Sequence, residues 1–139
     1  MTEGSDVSGF EYPVTAYHLD ITTPDDILCV RVNNGKAHMR RLRIDENDYA
    51  RCLYRSVGER WHWADRYLWS LKKWYQRLSQ SAVSIWVLES EDKPMGYYEL
   101  EEQEDINIEI RYLGLLSDSI GKGFGRFILM DALQRSFSM

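Results

Sequence analysis

Two periods run through the apolar and polar positions of this sequence. A period of two marks strands, and a period near 3.6 marks helices. Residues 14–21 alternate well enough for a strand, which the polar run from Thr22 to Asp26, with Pro24 inside it, breaks. Residues 27–32 and 37–44 flank Asn33, Asn34, Gly35 and Lys36, a tight-turn signature, and read as a hairpin. Asp45 is placed to cap a first helix with Tyr49, Cys52, Leu53 and Val57 on one face, and Gly58 is its natural stop. A loop dense in Trp and charge covers 58–66. Ser70 then caps a second helix, whose Leu71, Trp74, Tyr75 and Leu78 share a face.

Strand character returns at 81–89, with Val83, Ile85 and Val87 set against Ser84, Trp86 and Leu88, and again at 95–101 after a turn at 91–94. A further turn at 102–105 leads into the longest strand, 106–116. Its Ile106, Ile108, Ile110 and Tyr112 alternate with Asn107, Glu109 and Arg111. A final helix places Phe124, Ile128 and Ala132 four apart, with Leu129, Leu133 and Phe137 beside them. From residue 37 the order is β, α, α, β, β, β, loop, α. One α/β unit of the α+β type follows, with a largely antiparallel sheet and flanking helices.

Between the last strand and helix lie Gly121, Gly123 and Gly125. A helix N-terminus has unpaired N–H groups and about half a positive charge. Glycines let a ligand approach the backbone and permit positive φ. Strand, glycine loop and helix therefore form an anion site, and Lys122 and Arg126 add positive charge there. A Walker A loop fails, because Leu116 stands at its first Gly and Gly123 at its Ser/Thr. A dinucleotide fingerprint is weak, because its third Gly position holds Arg126, and the 139 residues end before the acidic position about 20 further on.

Gly121-Lys122-Gly123-Phe124-Gly125, after a strand that carries Glu109, resembles motif A of the GNAT N-acyltransferases. Gly123 and Gly125 match the family pattern, whereas Ile120 stands at its Gln/Arg position. The blocks at 54–58, 61–66, 96–100 and 109–125 together look like one GNAT subgroup, so that the resemblance spans the chain from about Val14 onward. It implies an acyl-CoA N-acyltransferase fold and acetyl transfer from acetyl-CoA to an amine of unknown identity. It also implies Glu109 as general base, main-chain contacts to the pantetheine arm near Leu115 and Leu116, and a pyrophosphate on Gly121, Lys122, Gly123, Phe124, Gly125 and Arg126. The loop from Trp61 to Arg66 corresponds to one that often lines the acceptor pocket.

The last helix ends beside Met139, whereas the resemblance implies a further strand, helix and hairpin. The expectation is a flexible tail over 1–12 and the N-terminal two-thirds of such a domain over 13–139, without the C-terminal strands. A fragment, a shortened relative and a half completed by another chain remain open. The edge at 106–116 would be exposed, apolar and able to pair with a second copy. A non-catalytic module that binds acyl-CoA or a protein partner, and a generic nucleotide-phosphate binder, are the competing functions.

Composition narrows the picture a little. The chain has 139 residues, enough for one sizeable core, and 44% hydrophobic residues. A net charge of −5 argues against a nucleic-acid-binding protein. No apolar run is long enough for a membrane span, and the polar acidic start is not a signal peptide. Cys29 and Cys52 read as reduced, buried thiols of a cytoplasmic protein. His18, His38 and His62 lack ligand spacing, so no metal site is expected. Glu99, Glu101, Glu102, Glu104, Asp105 and Glu109 form an acidic cluster that reads first as a solvated hairpin and second as a receiver for a cationic amine.

Overall fold

A computed structural model describes residues 4–5, 11–12, 21–23 and 36–139. The strand expected at 27–32 and most of that at 14–21 lie outside the described residues. Near the start, β1 (Gly4–Ser5) pairs antiparallel with β2 (Glu11–Tyr12). The main body runs β3 (Ala37–Arg41), α1 (Asn47–Trp61), α2 (Leu71–Ser79), β4 (Val83–Ser90), β5 (Lys93–Glu102), β6 (Ile108–Leu115), a 3-10 turn (Ser117–Ser119) and α3 (Phe124–Phe137). Its sheet has the order β3-β4-β5-β6, with every neighbouring pair antiparallel.

Helices cover both faces of the sheet. Strand alternation sends Val83, Ile85, Val87 and Tyr97 toward α1 and α2, where Leu53, Tyr54, Val57, Trp74 and Leu78 complete one core. Leu88, Tyr98 and Leu100 point the other way, onto Phe124, Ile128 and Ala132 of α3. Only one stripe of α3 is buried, and Leu129 and Phe137 are exposed.

The first helix departs from expectation at both ends. Glu46, not Asp45, is the N-cap residue, and its carboxylate makes no cap but accepts bonds from Arg40 (2.8 and 3.0 Å) and the Arg43 N–H (2.8 Å). The helix runs through Gly58 and stops at His62, which takes the left-handed conformation (φ 59°). Gly58 is needed for space rather than for a stop. A Cβ there would lie 2.6 Å from the Cβ of Trp63, whose N–H folds back onto the Gly58 carbonyl (2.9 Å). Cys52 is exposed, because the buried stripe is Ala50, Leu53, Tyr54 and Val57. In α2, Ser70 caps as expected, its Oγ accepting the Lys73 N–H (3.2 Å). Trp74 and Leu78 are its buried residues, while Leu71 and Tyr75 are exposed.

The long strand does not keep one face. Ile106 precedes β6 in a left-handed turn (φ 70°) with 96% of its surface exposed. Glu99 pairs with Tyr112 but Leu100 pairs with Ile110, so Arg111 bulges from the ladder. Ile108 and Ile110 therefore face α3, whereas Tyr112 turns to the α1–α2 side.

Candidate active site

The glycine turn begins where β6 leaves the sheet. The Leu116 N–H bonds to Met95 O (2.8 Å), and Leu116 O accepts the Ser119 N–H (2.9 Å), which closes the 3-10 turn. With Leu116 turned inward, the alternation of an antiparallel strand turns the main-chain groups of Leu115 outward. Outward here is the open side of β6, the last strand of the described sheet.

Gly121 (φ 83°) and Gly123 (φ 86°) follow in left-handed conformations that cost other residues about 1–2 kcal/mol. A Cβ on either would meet nothing within 4 Å, so conformation and not crowding demands glycine, and the surface over the turn is open. Gly123 is the N-cap of α3, and no side chain caps the helix. Phe124, buried in the α3-side core, fixes the first helical residue. The helix start is thus held in place while its first amides, with the positive pole they carry, take no side-chain cap. Lys122 and Arg126 are exposed beside it, with no ion pair among the described residues.

Glu109 lies near the other end of β6, opposite Glu101 of β5. It is exposed, and each of its oxygens already has a donor. Gln103 Nε2 reaches Oε1 at 3.2 Å, and Arg111 Nη1 reaches Oε2 at 3.3 Å.

On the same side of the sheet the loop between α1 and α2 is clamped down by a buried cation. The Arg66 guanidinium donates to both oxygens of Glu99, at 2.6 and 2.9 Å, with side-chain exposures of 4% and 1%. It also lies 4.6 Å from the Trp69 ring centroid and 4.5 Å from that of Tyr112. Arg77 of α2 bonds Glu99 Oε2 (2.6 Å) and Glu101 (2.9 Å), and Arg111 reaches Glu101 at 3.5 Å. The Arg77 bond holds the Glu101 carboxyl below the usual carboxylate range. Trp63 packs edge-on against Tyr97 and Tyr112, and burial pushes the Tyr112 phenol up to about 12.

The acidic cluster is therefore not one solvated hairpin. Glu99 is the most buried charge of the described residues, Glu101 is half-buried and paired, and Glu102, Glu104 and Asp105 are exposed. An open cleft of about 690 Å³ adjoins the loop, lined by Arg55, Glu59, His62, Trp63, Tyr67 and Leu68 among others. It shares no residue with the glycine turn. Among the described residues no His, Cys, Asp or Glu group could hold a metal ion, and no helix is long and apolar enough to cross a membrane.

Sequence reasoning brought out the turn and missed the arginine clamp. The available signal was Glu99 itself, a carboxylate between Tyr98 and Leu100 in a strand with helices on both sides.

The sheet edge thus leads into a helix that starts at a glycine and has no side-chain cap. The sequence over residues 46–139 matches the Acetyltransferase (GNAT) family, and the chain belongs to that family. A search of the curated proteins gives no match. Solved structures share the fold. An aminoglycoside acetyltransferase from an uncultured soil metagenomic sample, in complex with trehalose, aligns with a TM-score of 0.65 at 15% identity, covering 76% of this chain and 72% of that one. The PaiA N-acetyltransferase of Thermoplasma acidophilum, in complex with coenzyme A, aligns at 0.60 and 16% identity, covering 73% and 72%. The SpeG spermidine N-acetyltransferase of Vibrio cholerae aligns at 0.56 and 21%, covering 76% and 65%.

Proposed function

We propose that this chain moves an acetyl group from acetyl-CoA to a primary amine of a small molecule or peptide. The observation that carries the proposal is the open, left-handed Gly121–Gly123 turn at the uncapped start of α3. The coenzyme A complex of the PaiA relative and the amine acceptors of the aminoglycoside and spermidine enzymes support it.

Each residue has a chemical task in this reading. Main-chain amides from Gly121 to Arg126 hold the pyrophosphate, with Lys122 and Arg126 adding charge attraction. The outward main-chain groups of Leu115 pair with the pantetheine arm. Acetyl-CoA would supply the thioester: the C–N bond to the amine forms as the C–S bond breaks, and coenzyme A leaves as the thiol, carrying the proton. An amine with a pKa near 10 is almost wholly protonated at neutral pH, so a base must take its proton first. Glu109 is that base. A carboxylate has about four lone-pair sites, and the bonds from Gln103 and Arg111 leave acceptor capacity on both oxygens.

The second reading, a non-catalytic acyl-CoA-binding module, draws on the same two bonds, because both oxygens of the carboxylate are already engaged within the chain. Acetyl transfer to a panel of primary amines separates the two. Glu109→Gln is expected to lower turnover by about 10²–10⁴-fold with acetyl-CoA affinity unchanged. Turnover equal to wild type in that variant removes Glu109 from the mechanism. Acetyl-CoA binding without transfer to any amine establishes the binding module.

A further inference from the structure

The ion pairs between the α1–α2 loop and β6 form one continuous ladder of alternating charge. It runs Arg66, Glu99, Arg77, Glu101, Arg111, Glu109, with closest contacts of 2.6, 2.6, 2.9, 3.5 and 3.3 Å. From Glu99 onward exposure rises along it. The Glu99 side chain is 1% exposed, Arg77 11%, Glu101 22%, Arg111 39% and Glu109 48%. One end is thus a fixed point in the core, and the other is the carboxylate at the candidate site.

We infer that Arg111 is a positioning residue for Glu109, and that Glu101 and Arg77 hold Arg111 in place from the core. The inference rests on Glu109 being the base. Three features of the fold carry it. Glu101 and Glu109 stand directly opposite each other across β5 and β6, where two like charges repel unless a cation joins them. The bulge lifts Arg111 out of the ladder of pairs, so its guanidinium reaches back to both carboxylates. Finally, Gln103 and Arg111 grip opposite oxygens of Glu109, which fixes the carboxylate plane without taking all of its lone pairs. An exposed pair of this kind adds little to stability. Its effect is on geometry, to which proton transfer is sensitive.

The test compares Arg111→Ala, Glu101→Gln and Glu109→Gln in the acetyl-transfer assay. Arg111→Ala is expected to lower kcat between about tenfold and a hundredfold while the KM values for acetyl-CoA and amine stay within about twofold. Added guanidinium restores part of that loss, and Arg111→Lys retains more activity than Arg111→Ala. Glu101→Gln lowers kcat in the same sense. Wild-type kcat in Arg111→Ala beside an inactive Glu109→Gln overturns this inference alone. Wild-type kcat in Glu109→Gln overturns the base assignment and this inference with it. A measurement independent of turnover is the crystal structure of Arg111→Ala, in which the Glu109 carboxylate should leave its present orientation. An unchanged carboxylate overturns the inference.

Discussion

Arg66 and Glu99 face each other through two hydrogen bonds in the interior, between a loop and the middle of a central strand. Neither side chain has meaningful contact with solvent, and Arg77 shares the same carboxylate. Removing one partner of such a group leaves charge buried without compensation, at about 3–5 kcal/mol. Glu99→Ala strands the buried Arg66 guanidinium and leaves Arg77 with Glu101 alone, and should lower Tm by more than about 10 °C. A shift of only one or two degrees by calorimetry would show that the clamp is not set as described.

Gly58 and Trp63 form a tighter mechanical pair. Alanine is ordinarily a better helix residue than glycine, by up to about 1 kcal/mol. Here its methyl group would sit 2.6 Å from Trp63 Cβ and 2.8 Å from Cε3, and the ring is already held by Tyr54, Tyr97 and Tyr112. Overpacking of this kind costs about 1–3 kcal/mol, so Gly58→Ala should lower Tm despite its helix propensity. A raised Tm contradicts that account.

Gly125 offers a clean probe of the anion site. It has an ordinary helical backbone, and a Cβ there meets only Leu115 Cδ1, at 3.6 Å. Gly125→Ala should therefore retain acetyl-CoA binding. Gly125→Glu puts a negative charge in the first turn of α3, which favours the helix and opposes a phosphate. Calorimetry should show at least tenfold weaker binding, about 1.4 kcal/mol, with Tm equal or higher. Equal affinity in Gly125→Glu would remove the pyrophosphate from this turn.

Acid should weaken the fold through Arg40. Its hydrogen bonds hold the Glu46 and Glu89 carboxyls below the usual carboxylate range. A group with a depressed folded pKa adds stability above its unfolded value of about 4.3, and that part is lost as pH falls through the folded value. Tm should accordingly fall below about pH 4.5, and Arg40→Gln should flatten that fall. An unchanged slope in the variant would assign the acid sensitivity to other groups.

How far the sequence foretells the structure depends on the range of the forces involved. The turn at Gly121 and Gly123 was legible because left-handed backbone needs glycine, and α3 because its stripe of Phe124, Ile128 and Ala132 is local. The Ser70 cap was legible for the same reason. The bulge at Arg111 was not, because strand alternation carries no mark of an extra residue until the partner strand is known. It moved Tyr112 to the opposite face from Ile110. Gly58 misled because a glycine that makes room for Trp63 looks identical to one that ends a helix. The charge ladder joins residues up to 33 positions apart, a separation at which no periodicity operates.

The central claim, an acyl-CoA site at the start of α3, is tested most directly by a thermal melt with and without excess acetyl-CoA. A ligand that binds only the folded form adds about 2.7 kcal/mol at a hundredfold excess over its dissociation constant. For a chain of 139 residues that is a rise of several degrees. We predict that rise in the wild-type chain and a rise of half that size or less in Gly125→Glu. A cooperative melt at the same temperature with and without acetyl-CoA would contradict the claim.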